Sequence, residues 1–439
     1  MSDSGQSVPA SEGYPRLWEN WNFLRFFFGR FVSNAGDSLY TVAVLWLVFD
    51  LSGSTVLTGV ANSLLLLPFL LQAVAGPLVD RFPVKPLLVG SQVVQGAVVL
   101  VLPAAALTGN LTVELVLAVV PVLSVTTLVA SPVRATLVPR IVADEQLPQG
   151  NSALATVTLG LDMIFDALGG VFIAVFGATA LFLLDSLTFA IAALLFVAMT
   201  IPALNGGSSR PERSTAAAYV ADIREGVDVL RGTAFVDMVL TSAAFNFAVG
   251  VTLAVLPAFG EQLGGPAVYG LLLGALGVGR LSGSVFASYL DGVAYGRLMA
   301  VAYLLSALLW LGAVYAPSPA LTVGLFGLAW ISAGVDGVLV ETLNQKVFPS
   351  DVLGRVSSIK GTASTATLPV GSLVGGYVAE LLGTTTTMGL AAFGFGFAGV
   401  YFALRPSLRG LPATSEAQPE HFGVRDVGDA TGGSRSGPE

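Results

Sequence analysis

Residues 76–88 read Gly-Pro-Leu-Val-Asp-Arg-Phe-Pro-Val-Lys-Pro-Leu-Leu: an apolar run that stops at Val79, a charged turn at Asp80, Arg81 and Lys85, and a second apolar run that starts at once. A turn this brief between two long apolar stretches marks neighbouring membrane helices, each needing about 20 apolar residues to cross a bilayer. Outward from it the pattern repeats, at 26–49, 55–79, 86–107, 112–134, 152–176 and 179–201, then at 234–259, 267–290, 297–316, 320–345, 357–382 and 385–404. The composition agrees, at 54% hydrophobic and 11% charged with mean hydropathy +0.79, where a soluble domain carries about a quarter charged residues.

The cations alternate with the spans. Arg81 and Lys85 follow span 2, Arg134 and Arg140 span 4, Arg297 span 8, Lys346 and Arg355 span 10, and Arg405 and Arg409 span 12, whereas the loops near Ser52, Asn110, Gly177, Gly264, Pro317 and Gly383 have no Lys or Arg. Because Lys and Arg are retained on the cytoplasmic side, both termini are expected there. Residues 203–233 hold Arg210, Arg213, Arg224 and Arg231, and Val220, Ile223, Val227 and Leu230 recur at helical spacing, as in a helix lying on the membrane surface. The expected organisation is a cytoplasmic tail (1–22), a six-helix bundle (23–202), a cytoplasmic linker with an amphipathic helix (203–233), a second six-helix bundle (234–404) and a disordered cytoplasmic tail (405–439). The halves echo one another: Gly59 and Gly270 lie 211 apart, Gly76 and Gly283 207, Pro139 and Pro349 210, and Gly169-Gly170 and Gly375-Gly376 206. Matched offsets of this kind indicate duplicated bundles, although chance matches among 51 glycines are the competing explanation.

Much chemistry is excluded. No Cys and a single His, His421, leave no thiol nucleophile, disulfide, Cys/His zinc site or His-centred triad. No phosphate loop of the G-x-x-x-x-G-K-[ST] type is present, and a net charge of −8 argues against a nucleic-acid partner. No enzyme activity, cofactor or metal is expected.

The 76–88 turn resembles the G-x-x-x-D-R-x-G-R-[RK] loop of the major facilitator superfamily, with a degraded second copy at Gly283-Ser-Val-Phe-Ala-Ser-Tyr-Leu-Asp-Gly. It departs at Pro83 and Val84, where the family has Gly and a basic residue. Gly36-Asp37, Ala130-Ser-Pro-Val-Arg-Ala-Thr-Leu-Val-Pro139, Leu147-Pro-Gln-Gly-Asn151-Ser and Leu184-Asp185-Ser-Leu-Thr-Phe189 further resemble the drug-efflux branch that includes macrolide and siderophore exporters. The resemblance implies an all-α membrane protein of twelve transmembrane helices in two pseudo-symmetric six-helix bundles, working by alternating access. It also implies a cytoplasmic latch at Gly76, Asp80, Arg81 and Lys85, in which Asp80 meets the amides opening span 11 near Ser357; a turn that only fixes topology is the alternative. The family's G-P-x-x-G-G motif of span 5 is half present at Phe165-Asp166-Ala-Leu-Gly169-Gly170, with Asp166 where Pro is usual, and Pro369-Val-Gly371-Ser-Leu-Val-Gly375-Gly376 in span 11 is the better copy.

A charge in hydrocarbon costs several kcal/mol unless paired or solvated. Arg30, Asp237 and Glu341 lie near span ends and are expected to snorkel. Asp185 is expected to make a structural hydrogen bond. Asp37, Asp162, Asp166 and Asp336 are the candidates for proton coupling, and Arg280, about as deep in span 8 as Asp162 is in span 5, is expected to pair with it across the two halves. Aromatics such as Trp46, Phe245, Trp310 and Trp330 are expected to face lipid or core, with a substrate surface as the alternative. The reading is a secondary active transporter of the plasma membrane, monomeric, exporting a lipophilic or amphiphilic small molecule against protons or another coupling ion. Import of a metabolite or lipid-like solute, and a non-transporting membrane receptor or assembly factor, are the alternatives.

Overall fold

A bilayer core offers no water to unpaired backbone groups, so each apolar stretch must close its own hydrogen bonds as a helix. The computed structural model describes residues 16–68, 83–127, 137–157, 161–201, 224 and 227–424. All twelve expected spans contain a helix: α1 Trp21–Ser52, α2 Thr55–Leu65, α3 Val84–Leu107, α4 Val113–Thr127, α5 Leu161–Phe176, α6 Ala178–Val197, α7 Ala234–Leu263, α8 Pro266–Leu290, α9 Tyr295–Val314, α10 Pro319–Val347, α11 Val352–Leu382 and α12 Thr384–Leu404. Among the described residues, nine are long and apolar enough to cross a membrane, and the three shorter ones, in α2, α4 and α5, adjoin residues outside the described set. Helix ends follow local chemistry. The Asn20 side chain accepts from the amides of Asn22 at 3.1 Å and Phe23 at 3.2 Å to open α1, and Gly53, at φ +63°, closes it, a left-handed cap that Gly adopts without strain.

The helices pack as two copies of one arrangement. In the first half α1 lies along α6 and α5 while α3 packs on α6; in the second α7 lies along α12 and α11 while α9 packs on α12. The halves meet where α5 crosses α8 and where α2 crosses α11. At the first crossing a methyl added to Gly170 would strike the Cα of Gly270 and the carbonyl of Pro266; at the second, a methyl on Gly59 would strike the Ser372 carbonyl and one on Gly376 the Thr55 carbonyl. Gly59 and Gly270 are repeat mates, as are Gly170 and Gly376, so the two crossings are symmetric versions of one contact. Asn62 adds a hydrogen bond to Ser372 of 2.8 Å, and Thr55 one to the Gly376 carbonyl of 2.8 Å.

Several spans bend at single residues. In α10 the amide of Trp330 bonds back three residues to Gly327, and in α12 that of Ala392 bonds back three to Gly389, a tightened turn that redirects the axis. Buried Trp310, Phe326 and Trp330, with Phe395, fill the space between the bends, with centroid separations of 4.8–6.2 Å; the Trp310 indole donates to the Met388 carbonyl at 2.7 Å. The outward faces of α6, α9 and α12 leave Leu194, Leu308 and Leu404 more than two-thirds exposed, as lipid contact requires.

One expected region is different. Residues 405–439 were expected to be disordered, yet 405–424 fold against the end of the second bundle where α12 finishes. Leu408, Leu411, Thr414 and Phe422 are at most 1% exposed. The Lys346 ammonium donates to the carbonyls of Thr414 at 2.9 Å and Ser415 at 3.1 Å, and the Ser415 amide donates to Asp291 at 3.0 Å. Widely spaced apolar residues, each filling a prepared site, order a segment that has no periodic pattern of its own. Of the linker, 203–223 and 225–226 lie outside the described residues, as do Gly76, Asp80 and Arg81 of the latch loop.

Main chain meeting main chain cannot yield as a side chain can, so Gly170→Ala should destabilise the protein by about 1–3 kcal/mol through overpacking. Gly90→Ala, whose added methyl meets nothing within 4 Å, should cost nothing and add up to about 1 kcal/mol, the helix preference of Ala over Gly. Thermal unfolding of the two variants in detergent checks this.

Candidate functional site

Two polar cavities open inside the fold, one in each half. The first, of about 300 Å³, is walled by α1, α2, α3, α4 and α6 and touched by Leu253 of α7. Its floor is acidic, with Asp37 of α1 and Asp185 of α6 facing the same space. Gly36 makes this possible, because a side chain there would land on the Asp185 carboxylate and the Thr188 hydroxyl. Asp185 is fully buried; Thr188 Oγ1 lies 3.3 Å from its Oδ1, and Oδ2 has no hydrogen-bond partner among the described residues. The hydroxyls of Tyr40 and Ser124, on the same walls, likewise lack partners. Buried polar atoms are nearly always satisfied; these three belong to residues on the lining of one cavity and have no partner among the described residues. Leu65, Leu66, Leu123, Phe189 and Leu253 supply the apolar remainder.

The second cavity, of about 220 Å³, lies between α7, α9, α10, α11 and α12. Asp336 of α10 accepts from the Tyr295 hydroxyl at 2.6 Å, with Tyr303 also against it. Opposite is Lys360 of α11, only 7% exposed, whose ammonium bonds to Asn344 Oδ1 and sits 3.9 Å above the ring centroid of Phe235. A desolvated cation over an aromatic face gains up to about 2 kcal/mol. Among the described residues no carboxylate comes within ion-pair distance of Lys360, although Glu341 and Asp336 share its cavity.

The sequence candidates divide accordingly. Asp37 and Asp336 each face a cavity, in opposite halves. Asp166 is half-buried on α5. The side chain of Asp162 lies outside the described set, but the register of the α5 and α8 crossing does not: Gly170 meets Gly270 and Ala167 meets Gly274, which puts Arg280 level with Leu161. The main chain of Arg280 presses on Gly334 of α10. Lys85 donates to the Met199 carbonyl at 2.7 Å and Arg25 to that of Ala198 at 2.6 Å, so both cations serve the carbonyl-rich end of α6, where the helix dipole favours them. Asp237 does more than snorkel: it accepts from Tyr401 at 2.8 Å, Ser407 at 2.9 Å and Arg405 at 3.1 Å, and its carboxylate holds the Arg405 guanidinium above its ordinary value. Sequence reasoning passed over Asp185, which makes a local bond as expected but faces Asp37 as well, and over Lys360 and Tyr295. Of the three lysines only Lys360 falls within a span, a signal that was available.

A family model described as transmembrane secretion effector matches residues 19–438. Macrolide efflux protein A of Streptococcus pyogenes is 23% identical over 387 residues, 83% of this chain and 92% of that protein. The uncharacterised MFS-type transporter YvqJ of Bacillus subtilis (strain 168) is 24% identical over 377 residues, 84% of this chain and 88% of that one. Among solved structures, a bacterial homologue of the human lysosomal transporter Spinster, inward-facing and occupied, superposes with a TM-score of 0.68 at 12% identity, covering 90% of this chain and 98% of that one.

A hydrogen bond to a charged group contributes about 1.5–3 kcal/mol, so Tyr295→Phe should destabilise the protein by that order. Combined with Asp336→Asn the losses should fall short of additive by about 1 kcal/mol. A double-mutant cycle read by thermal unfolding in detergent measures both.

Proposed function

Because the chain belongs to the transmembrane secretion effector family of major facilitator transporters, we propose that it exports an amphiphilic small molecule by alternating access, with both termini cytoplasmic and with Asp37 and Asp185 as the coupling site. The observation that carries this reading is the cavity they share. Among the described residues its lining has two carboxyls and no cation, Leu65, Leu66, Leu123 and Phe189 add apolar wall beside the polar groups, and Leu253 from the second half completes it. A positively charged or hydrogen-bond-donating head on an apolar body fits such a space. A proton arriving from the opposite side of the membrane competes with that head for the same oxygens, and mutually exclusive occupancy is what makes one flux drive the other. The efflux named for the Streptococcus pyogenes relative supports the outward direction. The family resemblance likewise assigns Asp80 the latch role, closing the cytoplasmic side against the start of α11.

On this reading Arg280 and Asp162 form a pair across the interface between the halves. Their closeness in register along a crossing held by glycines supports it, since a crossing that tight leaves little freedom for the helices to slide. The pair forms and breaks as the halves rock.

Asp37→Asn and Asp185→Asn should each reduce proton-driven accumulation of a hydrophobic cationic dye in everted vesicles by about tenfold or more, within the usual coupling range of about 5- to 150-fold. Downhill exchange of the dye should persist; full uphill transport by both variants would refute the coupling site. For the inter-bundle pair, Arg280→Asp and Asp162→Arg should each lose about 3–5 kcal/mol by stranding a charge. The double variant should recover part of the folded yield, as measured by size-exclusion chromatography.

A further inference from the structure

The second cavity is held by an element outside the twelve spans. Of its charged groups, Asp336 and Lys360 face each other from α10 and α11, with Glu341 also on the lining, and Asp336 and Lys360 are each connected to the folded segment 406–424 by a short chain of contacts. On one side the Tyr295 hydroxyl holds Asp336 at 2.6 Å, while the Tyr295 amide donates to the Pro412 carbonyl at 3.0 Å and Ala294 bridges to Ala413. Tyr295 thus joins the cavity to the segment through a single residue. On the other side Lys360 rests on one face of Phe235, and Phe422, 1% exposed, stacks on the same ring at 5.1 Å and 21°. Phe348 closes the edge at 4.7 Å. A third tie comes from α10 itself, where Lys346, nearly three turns beyond Asp336, donates to Thr414 and Ser415.

The geometry points to residues 406–424 as a brace that positions Asp336 and Lys360 in the second cavity, with Phe422 as the positioning residue for Lys360 through Phe235. The physical reason is the absence of a close carboxylate. A buried ammonium held in an ion pair is located by its partner, but Lys360 is held by one amide oxygen and by ring faces, that of Phe235 at 3.9 Å and that of Phe348 at 5.9 Å, and a ring face locates a charge only if the ring itself is held still. Phe235 belongs to the first turn of α7, which the linker enters, and it is kept in place by Phe422 and Phe348. The segment touches no cavity wall that moves alone: it ties α9, α10 and α7 to one another at the basic end, where α12 finishes. The cavity shape therefore depends on a piece of chain that does not cross the membrane. This role rests on the chain being a major facilitator transporter and is independent of which ion drives it.

The chain has no Cys, so Ser364→Cys on the cavity wall makes a single reporter, read as the rate of maleimide labelling of the purified, detergent-solubilised protein. Phe422→Leu keeps apolar volume and removes the ring face, whereas Phe422→Tyr keeps both. Expected are labelling at least about fivefold faster in Phe422→Leu and in Lys360→Met, no further increase when the two are combined, and a rate within about twofold of the parent in Phe422→Tyr, the non-additivity that one shared contact imposes. Should Phe422→Leu not yield folded protein, Lys346→Gln loosens the same segment from α10 and should accelerate labelling likewise. An unchanged rate in the variant that folds, or additive effects with Lys360→Met, overturns the brace.

Discussion

Where α5 crosses α8, and again where α2 crosses α11, one main chain lies against another with no side chain between them. Helices normally pack about 8–10 Å apart because their side chains hold them there; glycine at both partners removes that spacer and lets dispersion contacts form along the backbone. In a membrane, where lipid is as apolar as any leucine, close approach is among the few forces that hold helices together. These two contacts are the tightest between the bundles, beside the packing of α2 and α1 on α7 and the stacking of Trp46 on Tyr269. They also require the bundles to meet in one register, which fixes the depth of Arg280 against α5 and brings Leu253 of α7 to the rim of the first cavity.

The charges inside the fold are disposed unequally about that frame. The first half gathers carboxyls, with Asp37 and Asp185 on one cavity and Oδ2 of Asp185 without a hydrogen-bond partner among the described residues. The second half answers its carboxyl with a tyrosine hydroxyl and places a lysine nearby. Repeat symmetry in the backbone therefore carries different chemistry on its two sides. A transporter needs such asymmetry, because a site identical in both halves gives neither substrate nor ion a preferred wall.

Much of the architecture was legible in the sequence because it rests on signals that survive without coordinates. Apolar length sets the spans, and the similar offsets between Gly59 and Gly270 (211) and between Gly170 and Gly376 (206) reveal the repeat; the same glycines turned out to be the crossing points. The sites were less legible. Asp37 and Asp336 could be singled out because a carboxylate in a span is conspicuous, but what each one faces depends on rotation about the helix axis, which a run of apolar residues on all sides does not encode. Asp185 was set aside for that reason: its hydrogen bond to Thr188 was foreseeable, its proximity to Asp37 across Gly36 was not. The segment after Arg405 was misjudged because its order comes from isolated residues such as Leu408 and Phe422 entering gaps between helix ends, a match of shapes rather than a periodicity.

The tightened turns at Trp330 in α10 and Ala392 in α12 flank a block of aromatic rings, and this makes the middle of the second bundle a fulcrum. A straight helix transmits a tilt from one end to the other, whereas a helix bent around a rigid wedge divides it into two arms. The arm near the basic end bears Asp336 and is tied to residues 406–424 through Tyr295 and Lys346. Load then falls on the wedge, where bulky rings with few rotamers resist compression better than aliphatic side chains of the same volume. The second bundle is in this sense a pair of levers on a stiff bearing, and its travel is limited by how far the rings of Trp310, Trp330 and Phe395 can roll over one another.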